Sequence, residues 1–316
     1  MLTYTEDHFT IDRVAEALER RGARPIRIDT DQYPKQVQFT AELRRGRLTH
    51  VIRSRDLKID SDEIRAVWLR HVAPPELSES LDPHYKNMCR NESQLALRML
   101  FTTLSDVRWV NDLARTALAE MKLRQLHLAG SVGLQVPHTL VSNDPLLVRE
   151  FFDRLDGLVV AKLLTGGSDG PDGTPMVLFT HDVGADDLIE ADALRHCPMV
   201  FQERIPKRRE LRVVFVDGDF FVGAVDASRS EAGKTDWRLA RPEECRWEAI
   251  DLPPTVARNT TAFMEKLGLV FGAIDMIETP DGEHVFLEVN PSGEWGMLER
   301  DLGLPISGAI ADALLA

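Results

Sequence analysis

Near its end the chain carries three oxygen-bearing side chains, Asp275, Glu288 and Asn290, whose types and spacing suit a hard cation. The segment Phe271–Gly293, FGAIDMIETPDGEHVFLEVNPSG, reads as two strands joined at Asp281-Gly282. That dipeptide favours a tight hairpin turn because both positions tolerate positive φ. With a loop symmetric about it, Met276 stands opposite Leu287 and Ile274 opposite Val289, which makes one face apolar. The same register sets Asp275 across from Glu288, with Asn290 two residues further along. Side chains at i and i+2 share a face and opposed pairs lie about 5 Å apart. The oxygens therefore converge on one side of a sheet whose other side is buried. Such a set suits a divalent cation that prefers oxygen, most naturally Mg²⁺ holding a nucleotide's phosphates. A loop of odd length would slip the register by one and break this geometry.

The rest of the chain must position that hairpin. At 316 residues, 43% hydrophobic and 28% charged, it is long enough for two or three units with real cores. Residues 1–112 read as a small α/β unit. It has a helix over 11–21 (apolar at Ile11, Val14, Ala15 and Leu18), strands near 25–28, 49–53 and 66–69, and a helix over 91–104. Residues 113–200 open with a helix over 114–129, then a strand at 139–141, a helix over 144–155 and an apolar strand over 158–164. A loop with four glycines, Thr165–Gly173, follows, then a strand at 176–179 and a helix over 185–194. Residues 201–316 hold a hairpin over 211–225, turning at Asp217-Gly218, and the acidic hairpin.

The net charge of −13 argues against a nucleic-acid surface and requires a local basic cluster for any anionic substrate. No run approaches 18 apolar residues, which argues against a membrane span, and the start, MLTYTEDHFT, lacks the pattern of a signal peptide. Cys89, Cys197 and Cys245 show no C-x-x-C spacing, so reduced thiols and a cytoplasmic location are expected. The histidines form no zinc pattern. Gly233-Lys-Thr235 fails as a P-loop, because Ser228 stands at the first glycine position, and no G-x-G-x-x-G is present.

Several segments in order now point the same way: Lys122–Gly130 leading into Val136–Thr139, Val159–Lys162, the glycine-rich loop, Phe201–Ile205, Leu211–Asp219 and Glu288–Asn290. Singly, a strand lysine is an edge residue with a snorkelling tip and a glycine tract is a loop. Together, over roughly residues 110 to 300, they resemble the ATP-grasp ligases. The resemblance implies an α/β (α+β) ATP-grasp fold, with an N-terminal α/β pre-ATP-grasp subdomain (1–112), a central lid subdomain (113–200) and a C-terminal antiparallel-sheet subdomain (201–316). It implies ATP and Mg²⁺ as cofactors. Lys122 and Lys162 would give positive charge to the phosphates, and Gly166, Gly167 and Ser168 would close over them with backbone N–H donors. Gln202, Glu203 and Ile205 would line the adenosine, while Asp275, Glu288 and Asn290 would hold the metal. Arg212 and Arg238, with Arg229 as a further candidate, would neutralise the transferred phosphoryl group or hold the acceptor carboxylate.

Within that superfamily, Ala66–His71 (AVWLRH), Asn87–Gln94 (NMCRNESQ) and Trp109–Asp112 (WVND) resemble the microviridin-type macrocyclases, or graspetide synthetases, and extend the match over nearly the whole chain. The resemblance implies phosphorylation of Asp or Glu side chains of a ribosomal precursor peptide, followed by ω-ester closure onto Ser or Thr, or amide closure onto Lys. The partner would be a precursor with a leader and an acidic core, and the enzyme a homodimer. A leader site is expected near Asp186, Asp187, Glu190 and Asp192, which also read as a solvated helix face. The chain departs from the family's W-x-R-R pattern, since His71 follows Arg70. Trp68 and Arg70 are expected on one strand face, where a core tryptophan with an edge arginine is as good a reading as a functional pair. Two alternatives remain open: an ATP-grasp ligase that adds an amino acid to a peptide or protein, and a non-catalytic ATP-grasp-like scaffold. Retention of Lys122, Lys162, Asp275, Glu288 and Asn290 together speaks against the scaffold.

Overall fold

A computed structural model describes residues 1–54, 57–104, 107–165, 180–226 and 245–316, with the backbone alone at 168–169 and 175–176. In chain order, β1 (Leu2–Thr3), α1 (Thr10–Arg20), β2 (Ile28–Asp29), β3 (Gln38–Arg44), β4 (Arg47–Ser54), β5 (Leu57–Asp60), β6 (Ala66–Trp68), α2 (Pro83–Thr103) and β7 (Arg108–Val110) form the first part. Next come α3 (Leu113–Ala119), α4 (Lys122–Ser131), β8 (Thr139–Ser142), α5 (Pro145–Arg154), β9 (Val159–Lys162), β10 (Ser168–Asp169), β11 (Pro175–Met176), β12 (His181–Asp182), α6 (Ala185–Ile189) and β13 (Met199–Glu203). The chain ends with β14 (Arg209–Val216), β15 (Asp219–Asp226), β16 (Arg246–Ala249), α7 (Pro254–Leu267), β17 (Phe271–Glu278), β18 (His284–Asn290), α8 (Gly296–Leu302) and α9 (Ile306–Leu315).

The site rests on the antiparallel sheet β16-β15-β14-β17-β18. The hairpin β14–β15 turns at Asp217-Gly218 as its sequence predicts, with Val216 paired to Asp219 and both turn residues at positive φ (49° and 106°). Both faces of the sheet are covered. Leu211, Val213, Phe215, Ile274, Met276, Phe286 and Val289 pack against α3, α4 and α7. Val214, Val216 and Phe271 pack against α1, α8 and α9 together with Trp68 and Trp295. The second core draws on both ends of the chain, so the N-terminal part is built into the back of this sheet.

A smaller sheet, β12-β9-β13-β8, covered by α5, makes the central layer around Val148, Phe151, Val159, Ala161 and Phe201. Strand β13 runs across residue 200, and α3 and α4 belong to the core of the large sheet.

Three expectations change in detail. The single helix over 114–129 is two, α3 and α4, broken at Glu120-Met121, where Met121 adopts an extended conformation (φ −75°, ψ 99°). Lys122 thereby opens a helix of its own. The helix over 185–194 becomes α6 followed by a 3-10 turn, Ala191–His196. Strand β6 ends at Trp68, so Arg70 is not a strand-face neighbour of that tryptophan, which lies in the core shared by the two ends of the chain.

The N-terminal part and the large sheet meet at Asn111, which is buried. Its Nδ2 donates to the carbonyls of Phe271 (2.8 Å) and Pro291 (3.1 Å), and its Oδ1 accepts from the backbone N–H groups of Val270 (2.7 Å) and Phe271 (3.0 Å). Asn111→Ala leaves buried backbone groups without partners, so a loss of about 3 kcal/mol in folding stability is expected from urea denaturation.

Candidate functional site

Strands β14, β17 and β18 place Arg212 beside Asp275 and Asp275 beside Glu288 in one row across the sheet. Arg212 Nη1 donates to Asp275 Oδ1 at 2.7 Å. Lys122, at the start of α4, reaches the other end of the row and donates to Glu288 Oε2 at 2.6 Å. Carboxylates directly opposite on neighbouring strands repel. Here each is matched by its own cation, and all four side chains are largely shielded from solvent, with at most 28% exposure.

The expected register of the acidic hairpin holds at Ile274↔Val289 and Asp275↔Glu288 but not beyond them: Met276 pairs with Phe286 rather than Leu287. The loop leaves five residues between Glu278 and His284, an odd length. A β-bulge after Asp275 absorbs the slip, so Phe286 and Val289 both face the core while Glu288 keeps its place. The extra residue, Leu287, lines a narrow cleft between β18 and the small sheet, with Lys122, Glu288, Lys162, Thr139 and Gln202. Its alternation with Val289 predicted a core position, and only the bulge redirects it.

Gln202 is buried on β13, its Nε2 donating to Thr139 Oγ1 at 3.0 Å, and Glu203 Oε2 accepts from the His138 N–H at 3.3 Å. Ile205 follows in the connection to β14, and Lys162 ends β9 on the cleft side. The structure thus brings Lys122, Lys162, Gln202, Asp275 and Glu288 to one region. Asn290 ends β18, where its Oδ1 accepts from Ser292 N at 2.9 Å. Gly166, Gly167, Arg229, Arg238 and the Gly233–Thr235 segment lie outside the described residues, and Ser168 is described only as backbone in β10.

Among the described residues no three His, Cys, Asp or Glu side chains cluster as a metal site. The set in question has two carboxylates and an amide, the hard oxygen donors that Mg²⁺ takes, so the chemistry of the residues fits that ion. Asp186, Asp187, Glu190 and Asp192 are exposed. Asp187 accepts from the Gly184 N–H (2.7 Å), and that hydrogen bond, aided by His181, holds its carboxyl below the usual range.

Gln125, which no motif announces, holds the site together with Arg70 and Arg212. Gln125 on α4 is buried and pairs with both backbone groups of Val289 (2.9 Å each), completing the outer edge of β18 between Glu288 and Asn290. Arg70 is 1% exposed and donates to the carbonyl of Ser292 and the carboxylate of Glu294. Arg212 donates through Nε and Nη2 to the Glu294 carbonyl, at 3.0 and 2.8 Å. Two arginines from opposite ends of the chain therefore clamp the turn that follows Asn290. Crowding pushes the Glu294 carboxyl up, but the neighbouring His71 and the charge of Arg70 outweigh this and hold it below the usual range.

Known proteins resemble this chain over its length. Residues 1–117 match the MvdD pre-ATP grasp domain and residues 119–314 the RimK-like ATP-grasp domain. The macrocyclase MdnB from Microcystis aeruginosa MRC is 46% identical, with a TM-score of 0.84 over 99% of this chain and 97% of that one. An ATP-grasp ligase of Chryseobacterium gregarium, associated with ribosomal peptide modification and solved with ADP and a leader and core peptide, is 31% identical, with a TM-score of 0.91 over 99% and 95%. A probable alpha-L-glutamate ligase of Rhodopirellula baltica is 25% identical over 98% of this chain and 68% of its own length.

The clamp leaves no room at Gly293, where a Cβ would stand 2.5 Å from that of Ala273, 2.8 Å from Arg212 Nη2 and 3.0 Å from the Asn290 Cβ. Gly293→Ala must displace Arg212 or the turn. A loss of ATP turnover of about tenfold or more is expected in an ADP-release assay, with the circular dichroism of the fold retained.

Proposed function

The chain belongs to the RimK-like ATP-grasp family, fused to an MvdD-type pre-ATP-grasp domain, and from that premise we propose that it is an ATP-dependent peptide macrocyclase of the microviridin, or graspetide, type. It activates Asp or Glu side chains of a precursor peptide and joins them to Ser or Thr hydroxyls as ω-esters. The observation that carries this reading is that the MvdD-type part is built into the site, through Arg70 on the turn after Asn290 and Asn111 beneath it. This is the domain pairing of peptide modifiers rather than a nucleotide-binding unit standing alone.

In this reading ATP lies in the cleft between the small sheet and β18, its adenosine beside Gln202, Glu203, Ile205 and Leu287. Lys122 and Lys162 meet its phosphates as point charges, and Gly166, Gly167 and Ser168 close over them. Mg²⁺, held by Asp275, Glu288 and Asn290, would neutralise charge on the phosphates. Arg212, already fixed by Asp275 and the Glu294 carbonyl, orients the acceptor carboxylate toward the γ-phosphorus, with Arg238 and Arg229 as further cations. A carboxylate oxygen bonds to the γ-phosphorus, the bond from that phosphorus to the bridging oxygen breaks, ADP is the leaving group, and the carboxylate becomes an acyl phosphate. A peptide hydroxyl attacks its carbonyl carbon, and inorganic phosphate leaves.

The proposal extends to partners and place. The leader docks beside Asp186, Asp187, Glu190 and Asp192, where exposed carboxylates suit a basic segment. The three units 1–112, 113–200 and 201–316 act together, with α3 and α4 as the joint between the small and large sheets. The enzyme works as a homodimer in the cytoplasm. None of the helices among the described residues is long and apolar enough to cross a membrane, and the three cysteines are unbridged.

A second reading, an amino-acid ligase, is favoured by the likeness to the Rhodopirellula protein. Mass spectrometry of a leader-bearing acidic precursor incubated with the enzyme, ATP and Mg²⁺ separates the two. Macrocyclisation removes one water mass per ring, reversibly in mild base for esters. A mass gain of one amino-acid residue when free glutamate is added overturns it.

The side-chain roles have their own test. Asp275→Ala and Glu288→Ala are expected to abolish turnover, and wild-type rates in either one remove the metal assignment. Arg212→Ala is expected to bind ATP in calorimetry yet lose ligation by about 100-fold or more.

A further inference from the structure

His71 stands against the clamped turn and has no part in the scheme above. Its backbone is fixed, since the N–H groups of Arg70 and His71 both donate to the Leu2 carbonyl, at 3.0 and 3.2 Å. The Tyr4 ring meets the imidazole edge-on, with centroids 5.5 Å apart. Nε2 lies 3.9 Å from Glu294 Oε1, and the ring is one-third exposed. The groups facing it are few: the Glu294 carboxylate, the Arg70 guanidinium on that same carboxylate, and Tyr4. Asp7 lies behind Arg70, 3.8 Å from its Nε, and Arg212 lies behind the turn on the Glu294 carbonyl. The carboxylate stands on the Nε2 side of the ring, which leaves Nδ1 as the nitrogen turned away from it. A carboxylate beside one nitrogen and a second nitrogen left open is the pairing of a base with its orienting group, here on the turn whose Glu294 carbonyl holds Arg212.

The proposed reaction needs a base. A carboxylate attacks phosphorus already ionised, whereas a Ser or Thr hydroxyl must lose a proton as it attacks the acyl phosphate. We propose that His71, oriented by Glu294, is the general base of ring closure. The hydroxyl oxygen bonds to the acyl carbon, the carbon–oxygen bond to phosphate breaks with its electron pair, inorganic phosphate departs, and the hydroxyl proton passes to His71 Nδ1 and then to solvent. This rests on the macrocyclase reading and assigns its second step. It also gives a role to the residue at which the chain departs from the W-x-R-R pattern.

The test separates the two steps. Hydroxylamine traps an acyl phosphate as a hydroxamate without any enzymic base, while loss of water in the mass spectrum reports ring closure. With a leader-bearing acidic precursor, ATP and Mg²⁺, His71→Gln is expected to keep hydroxamate formation and to close rings about 100-fold more slowly. The rise of the closure rate with pH is lost in that variant. Glu294→Gln, which removes the carboxylate beside Nε2, is expected to slow ring closure while keeping hydroxamate formation. Added imidazole restores closure in His71→Ala, a rescue that a packing role does not allow. Wild-type closure with an unchanged pH profile in His71→Gln overturns the proposal, as does a parallel loss of hydroxamate and rings without imidazole rescue. Absence of hydroxamate in the wild-type enzyme counts against the macrocyclase reading instead.

Discussion

Two carboxylates on adjacent strands, with their charges on the same face, are the constraint around which this protein is organised. Asp275 and Glu288 sit directly opposite one another and are mostly shielded from water, a placement that costs stability unless positive charge is supplied locally. The chain supplies it from both ends of the row, Arg212 from the strand on one side and Lys122 from the helix on the other. Helix α4 starts afresh at Lys122, and the hairpin carries a bulge that keeps Glu288 in register. Both departures from regular structure serve the same four charges.

Of these four charges, Arg212 is held by hydrogen bonds to backbone as well as by its ion pair. Arg212 spends two of its donors on the Glu294 carbonyl, and Arg70 reaches the same turn from the other end of the chain. Gln125 closes the edge of β18 with a side-chain amide that mimics a neighbouring strand, and Gln135 accepts from Phe286 N (2.8 Å) further along the same edge. An edge strand held by side chains stays straight and unavailable to other chains. The row of charges thereby gains a frame at the edge of a five-stranded sheet.

What the sequence made legible follows from how local each signal is. The Asp217-Gly218 turn and the convergence of Lys122, Lys162 and Gln202 rest on short-range chemistry or on ordered motifs, and they are readable; the pairing of Asp275 with Glu288 is expected from a symmetric loop and holds only because a bulge corrects an odd one. The bulge that sends Leu287 into the cleft is not, because an alternating apolar pattern is equally satisfied with or without it. Arg70, Asn111 and Gln125 escape for a different reason. Each is a polar residue buried by contacts more than 150 positions away in sequence; Arg70 and Asn111 stand in segments that mark the family, but nothing local shows what they bind. The break between α3 and α4 has no glycine or proline to announce it, since Glu120-Met121 is good helical sequence overridden by tertiary contacts.

The charge row also bears on how the two halves of the chemistry communicate. In the proposed scheme a divalent cation between Asp275 and Glu288 would compete with Lys122 and Arg212 for the same oxygens. Those two positive side chains would then be released toward the phosphates and the acceptor carboxylate. Arg212 does not swing freely when this happens, because the Glu294 carbonyl still holds its Nε and Nη2, leaving Nη1 to exchange partners. The turn bearing that carbonyl is the one that Arg70 clamps and His71 faces. Arg70, Arg212 and His71 therefore meet at a single turn, Ser292–Glu294. This explains why the N-terminal part is packed into the back of the large sheet through Trp68 and Trp295 rather than tethered beside it: a loosely attached unit could not hold His71 and Arg70 to the tolerance that a shared turn demands.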